Sequence, residues 1–202
     1  MTHTSRAPQA SHGTVAAGDP RTSAAGTAIL QEGGNAVDAA VGANLVAFVT
    51  EPVLTSPFGG GLALVACPDK SPEYVQFFAQ TPGLGLSEKE RASIEFQGLD
   101  VHFGPAIQQF HVGRGSTAVP LMLRGLLHLH RTYGQLPLEQ VTQPALTLAR
   151  NGVKLSDGVG PILSILDPII HLRQETTELF APNGTILNAG DHFLSPGLVS
   201  LL

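Results

Sequence analysis

The sequence predicts an α+β fold built in several layers, on three observations. Residues 36–49 are apolar on nearly every side of a helix, so that helix has to be covered on several faces. Residues 62–67 and 74–78 read as two strands around a polar turn, an antiparallel hairpin. The first of these strands is apolar almost throughout, the pattern of a strand covered on both faces. From Pro120 onward the periodicity is mainly helical. A helix buried all round needs more layers than a two-layer sandwich of this size supplies.

Composition bounds the class. The 202 residues are 43% hydrophobic and 13% charged, which excludes a disordered segment or a coiled coil. That length carries one domain with a sizeable core, or a piece of a larger one. Gly (23) and Pro (15) stay below low-complexity levels. The formal net charge is −5, and no cluster of Lys or Arg offsets it locally, so neither nucleic acid nor an anionic membrane is an expected partner. A single cysteine, Cys67, excludes an intrachain disulfide framework and a cysteine-based zinc site. The longest apolar stretch, 36–49, is too short to span a bilayer and contains Asp38 and Asn44. The first twelve residues are polar and lack the apolar run of a secretory signal. A cytoplasmic protein is therefore the expectation.

The elements follow in order. Residues 1–12 read as a flexible tail and 13–202 as the folded part. Residues 13–17 are short and apolar, a candidate first strand. Asp19-Pro20 supplies an N-cap and a proline at the first helical position. The helix it opens runs past Ala24, Ala25, Ile29 and Leu30 and stops at Gly33-Gly34. Asn35 caps the next helix, with Asp38 three residues on completing a capping-box-like pair. Glu51-Pro52 ends it, and residues 56–61 form a loop closing on Phe58-Gly59-Gly60-Gly61. After the hairpin, Pro120 opens an amphipathic helix that stops near Tyr133-Gly134. Another covers 138–150 and closes at Asn151-Gly152, two more flank Pro161 and Pro168, and Pro182-Asn183-Gly184 is a turn. Ser195-Pro196 starts a last helix that reaches only Leu202. Leu198, Val199, Leu201 and Leu202 then have little to pack on, and the expectation is a chain cut short.

No complete catalytic constellation is legible, so no catalytic, substrate-binding or metal-binding residue is assigned and no cofactor is expected. Phe58-Gly59-Gly60-Gly61 lacks the Lys-Ser/Thr of a phosphate-binding loop, and Gly113-Arg114-Gly115-Ser116 lacks a dinucleotide pattern. Either loop can cradle an oxyanion through backbone N–H groups, but close approach of neighbouring backbones is the plainer reading. His128 and His130 stand two apart on a helix and point to different faces. With His3, His12, His102, His111, His171 and His192 they show no metal-ligand spacing, and surface or capping roles are expected. Cys67 reads as a buried, inert thiol at the end of an apolar strand. Thr176-Thr177 has nothing to activate it, and capping accounts for Asn35 and Asp38.

The ordered blocks Gly13-Thr14-Val15-Ala16-Ala17, Gly33-Gly34-Asn35-Ala36-Val37-Asp38-Ala39-Ala40, Glu51-Pro52 and Phe58-Gly59-Gly60-Gly61-Leu62 resemble the amino-terminal part of γ-glutamyltranspeptidases. So do Ala118-Val119-Pro120, His130-Arg131-Thr132-Tyr133-Gly134 and Pro144-Ala145-Leu146, again in family order. The resemblance covers roughly 13–200. It implies the four-layer αββα fold of the N-terminal-nucleophile (Ntn) hydrolases, here in part. It also implies a precursor that cuts itself to free an N-terminal Thr, which attacks a γ-glutamyl amide with its own amine as base. Loop N–H groups steady the oxyanion.

Two departures qualify what the resemblance implies. The family's Thr-led small subunit lies beyond residue 202, so this chain by itself is expected to be inactive. An Arg that grips the substrate α-carboxylate is expected in the strand after the hairpin, and Ala79 stands there, in Phe78-Ala79-Gln80-Thr81-Pro82. Loss of such an anchor removes about 1.5–3 kcal/mol. Arg114 is a candidate substitute, a surface arginine being the plainer reading. Three functions stay open: the amino-terminal portion of a γ-glutamyltransferase-like enzyme; a large subunit completed by a separate Thr-bearing chain; and a non-catalytic binding or regulatory remnant using the cleft near Gly59 to Gly61.

Overall fold

A computed structural model describes residues 13–202 apart from Asp69. The tail expected over 1–12, with His3 and His12, lies outside the described residues. In chain order the elements are α1 (Pro20–Gln31), α2 (Ala36–Thr50), β1 (Gly61–Val65), β2 (Glu73–Phe77), α3 (Glu88–Ala92), β3 (Gln97–Phe103) and β4 (Ala106–Val112). A 3-10 turn at Arg114–Ser116 leads into α4 (Met122–Tyr133), α5 (Leu138–Asn151), β5 (Val153–Lys154), α6 (Val159–Ile165), α7 (Asp167–Ile170), α8 (Gln174–Phe180), β6 (His192–Phe193) and α9 (Pro196–Leu201). Each sheet is a single antiparallel pair: β1 with β2, β3 with β4, β5 with β6.

The caps read from sequence set the first two helices. The Asp19 carboxylate accepts from the Arg21 N–H at 2.8 Å, and Pro20 follows at a position where its missing N–H costs nothing. The chain leaves α1 through Gly33, whose φ of +94° excludes most side chains. Asn35 Oδ1 accepts from the N–H of Val37 and of Asp38, and Asp38 accepts in return from the Asn35 N–H at 3.0 Å. As expected, α2 is buried on most of its surface, packed between α1, α4 and α5. Its Val41, Val46 and Phe48 join Ile29, Leu126 and Val141 in the main core. A second core gathers Val49 with Ala149, Val153, Val159, Leu163 and Phe193.

Four expectations are corrected. Residues 13–17 pair with no strand among the described residues; the segment lies over α1, Gly13 against Leu30 and Val15 against Gly26. The β1–β2 hairpin is covered on one face only. Ala63, Val65 and Val75 turn to the main core, while Leu62 (55% exposed) and Leu64 (70%) face outward, because no second sheet stands over them among the described residues. The β3–β4 hairpin, paired from Gln97↔Val112 to Phe103↔Ala106, went unread. Its strands are mostly polar and exposed, with Val101 the fully buried side chain, so the hydrophobic alternation that marks a strand is faint. Finally, α9 does find partners: Leu198 and Leu202 pack on both cores and Val199 on the second.

Candidate functional site

Three segments meet at one end of the β1–β2 hairpin. The carbonyl of Gly59 accepts from the N–H groups of Leu121 and Met122, each at 3.0 Å, so the glycine loop satisfies donors that open α4. A Cβ on Gly60 would run into the backbone of Phe78 and Ala79, and one on Gly61 would lie 2.6 Å from the Phe77 ring. Gln80 and Val119 exchange both backbone hydrogen bonds, at 3.1 and 2.8 Å. Glycine is thus required here for close packing of chain on chain, the plainer of the two readings. Ala79 sits in this junction, beside the glycine loop.

Arg114 is placed by the 3-10 turn that follows β4. Gly113, at φ +103°, turns the chain so that Arg114 lines a cleft of about 820 Å³ between the β3–β4 hairpin and α7–α8. There Arg173 pairs with Glu95 at 2.7 Å, and His111 stacks on Phe96 with ring centroids 4.4 Å apart. The hydroxyls of Thr176 and Thr177 donate to the carbonyls of Ile170 and Arg173. The threonine pair is therefore spent on helix-end geometry.

Asp38 does more than cap. It is fully buried, and its carboxylate also accepts from the N–H of Gln135, at 3.1 and 3.0 Å, and of Leu136, at 3.3 Å. Asn35 donates its amide to the Tyr133 carbonyl. His130, expected at the surface, is largely buried: Nε2 lies 2.9 Å from the Leu136 carbonyl and 3.8 Å from Asp38 Oδ1. These bonds pin the turn after α4 onto the start of α2, which two residues 97 apart in sequence do not announce. The Tyr133 hydroxyl is buried with no partner in hydrogen-bonding geometry, yet the facing Glu73 carboxylate, with burial, pushes the phenol up to about 12.

At the other end of α2, the Arg21 guanidinium holds the Asp19 carboxyl below its usual range and donates to the Lys154 carbonyl at 2.7 Å. Thr22 bonds both Thr50, at 3.0 Å, and Glu51, at 3.1 Å. A cleft of about 680 Å³ runs between residues 13–18 and the small side chains Ala36, Ala40, Ala43 and Ala47 of α2.

Two further corrections concern side chains. Cys67 is exposed, two residues past the end of β1, not buried within it. The expected lack of any local basic cluster also fails, because helical spacing places Arg124, His128 and Arg131 along one cleft. Among the described residues, no group of three His, Cys, Asp or Glu side chains is placed to hold a metal ion. No described helix is long and apolar enough to cross a membrane.

Comparison with known proteins fixes the family. The Gamma-glutamyltranspeptidase family matches residues 22–202, and the chain belongs to that family. It is 30% identical over 195 residues to glutathione hydrolase 3 of Arabidopsis thaliana, covering 96% of this chain and 29% of the relative. It is 32% identical over 192 residues to the acylase ACY 1 proenzyme of Pseudomonas sp. strain SE83, covering 95% and 30%. The crystal structure of the Bacillus anthracis transpeptidase CapD superimposes with a TM-score of 0.71 at 26% identity, over 94% of this chain and 56% of that one. The fold is accordingly part of the αββα Ntn-hydrolase architecture. The chain spans less than a third of the length of these two curated relatives.

Proposed function

We propose that this chain is the large-subunit part of a γ-glutamyltransferase-like Ntn enzyme, which cleaves or transfers a γ-glutamyl or related amide once a Thr-bearing half joins it. The observation that carries this reading is the uncovered sheet face. Leu62 and Leu64 of β1 and Tyr74 of β2 are more than half exposed, a contiguous apolar strip on a hairpin of a family whose fold stacks a second sheet. The hydroxyls that meet a carboxylate, Thr22 with Glu51 and Ser87 with Glu90, are spent at helix ends, and the attacking Thr is assigned to the other half. That half either continues the same polypeptide or comes as a separate chain.

The acyl group is broader than glutathione chemistry. Ala79 offers no cation for an α-carboxylate, and Arg114 lines the cleft beside α7 and α8. Relatives that carry the names glutathione hydrolase and acylase support a family scaffold that accepts more than one acyl donor. The test uses a chromogenic γ-glutamyl anilide. The purified 202-residue chain releases no aniline, and co-expression with a Thr-bearing small-subunit segment yields a complex that does. Turnover by the chain alone overturns the proposal, as does an inactive complex that is assembled and processed and leaves both γ-glutamyl and other acyl anilides intact.

A further inference from the structure

We propose that residues 53–60 form a strap hinged at Val53, which opens off the glycine junction and uncovers the backbone around Ala79. Val53 is the one non-glycine residue at positive φ among the described residues, at +65°. A β-branched side chain in the left-handed region crowds its own backbone, so the turn is strained. Glycine or asparagine would take the same turn with little strain.

Little holds the turn closed. The Glu51 carbonyl accepts from the N–H groups of Leu54 and Thr55, each at 3.2 Å, the long end of the normal range. Val53 joins neither core, and Val53, Leu54 and Phe58 are all exposed. Pro57 is the one buried residue between 53 and 60. The chain just before the turn is anchored by contrast. Thr50 is fully buried and bonded to Thr22, Pro52 is buried, and the Glu51 carboxylate accepts from the Thr22 hydroxyl. Movement therefore begins at Val53.

The far end of the strap is the junction. The Gly59 carbonyl caps the N–H groups of Leu121 and Met122, and Gly60 lies on Phe78 and Ala79 too closely to admit a Cβ. Ser56 ties the intervening chain to itself: its hydroxyl accepts from the Phe58 N–H at 3.1 Å, and its carbonyl from the Gly59 N–H at 3.0 Å. Residues 56–59 move as a unit, so a change at Val53 reaches Gly59. Local openings of this kind cost far less than unfolding, and strain in the closed form raises their population. The strap is independent of the proposed catalysis: a chain inert toward every amide opens in the same way.

The test is amide hydrogen exchange, read by NMR on the full chain. V53N relieves the strain and should slow exchange at the Leu54 and Thr55 amides about tenfold. The Leu121 and Met122 amides should slow by a similar factor, because they lose their acceptor whenever the strap opens. V53I keeps the β-branch and should exchange as the parent does. V53P fixes φ at about −65° and cannot form the turn. All four amides should then exchange fast while those of the buried Val46 and Val141 keep parental rates, which separates an open strap from an unfolded chain. Unchanged exchange at Leu54 and Thr55 in V53N overturns the proposal. So does slowing confined to those two, or a folded V53P in which Leu121 and Met122 stay protected. Should V53P fail to fold, V53N decides alone.

Discussion

Asp38 carries an unusual share of the local order for one side chain. It closes the α2 capping box and, from the same carboxylate, holds the backbone of Gln135 and Leu136. Removing it leaves buried N–H donors with no acceptor, each costing about 1–3 kcal/mol. We expect Asp38→Ala to lower the urea unfolding free energy by about 3 kcal/mol, and a loss below about 0.5 kcal/mol would contradict this assignment. The cap itself was legible, because Asn-x-x-Asp before an apolar run is a local pattern. The second duty was not, since nothing in the sequence says that position 135 returns to position 38. His130 and Cys67 were misplaced for the same reason. Burial belongs to the neighbours a residue meets, and Cys67 lies beyond the strand end, where those neighbours stop.

Among the elements, the contact of α4 with β2 depends on one missing side chain. A Cβ on Gly125 would lie 2.1–2.5 Å from three atoms of the Phe77 ring, and the Phe77 backbone is held by its pairing with Gly61. Two effects oppose in Gly125→Ala. Helix propensity favours alanine by about 1 kcal/mol, whereas overpacking a fixed aromatic costs about 1–3 kcal/mol. The clash should win. We expect the variant to be destabilised by about 1 kcal/mol in thermal or urea unfolding; a gain in stability would show that the ring moves freely. Apart from the short polar α3, the helices were readable because their apolar positions recur with the helical period or their ends carry Asp-Pro, Asn-x-x-Asp and Asn-Gly signals. The β3–β4 hairpin was not, because exposed polar strands pair through backbone groups that every residue shares.

For the molecule as a whole, the uncovered face of β1 bears the proposed second half. Leu62→Thr with Leu64→Thr keeps strand propensity and removes apolar area worth about 3 kcal/mol in an assembled sandwich. We expect the double variant of the isolated chain to bind less of a hydrophobic dye and aggregate less, while its complex with the Thr-bearing half dissociates about a hundredfold more readily. Unchanged assembly would place the partner elsewhere. By itself the sequence determined the helix caps, the multiply buried α2, the first hairpin and the family, because these rest on local periodicity and on ordered motifs. Only the tertiary structure decided which face of that hairpin is bare, that Arg114 lines a cleft with Arg173 and Thr176, and that Arg124, His128 and Arg131 border one cleft. Those are distances between residues remote along the chain, and packing, not local preference, sets them.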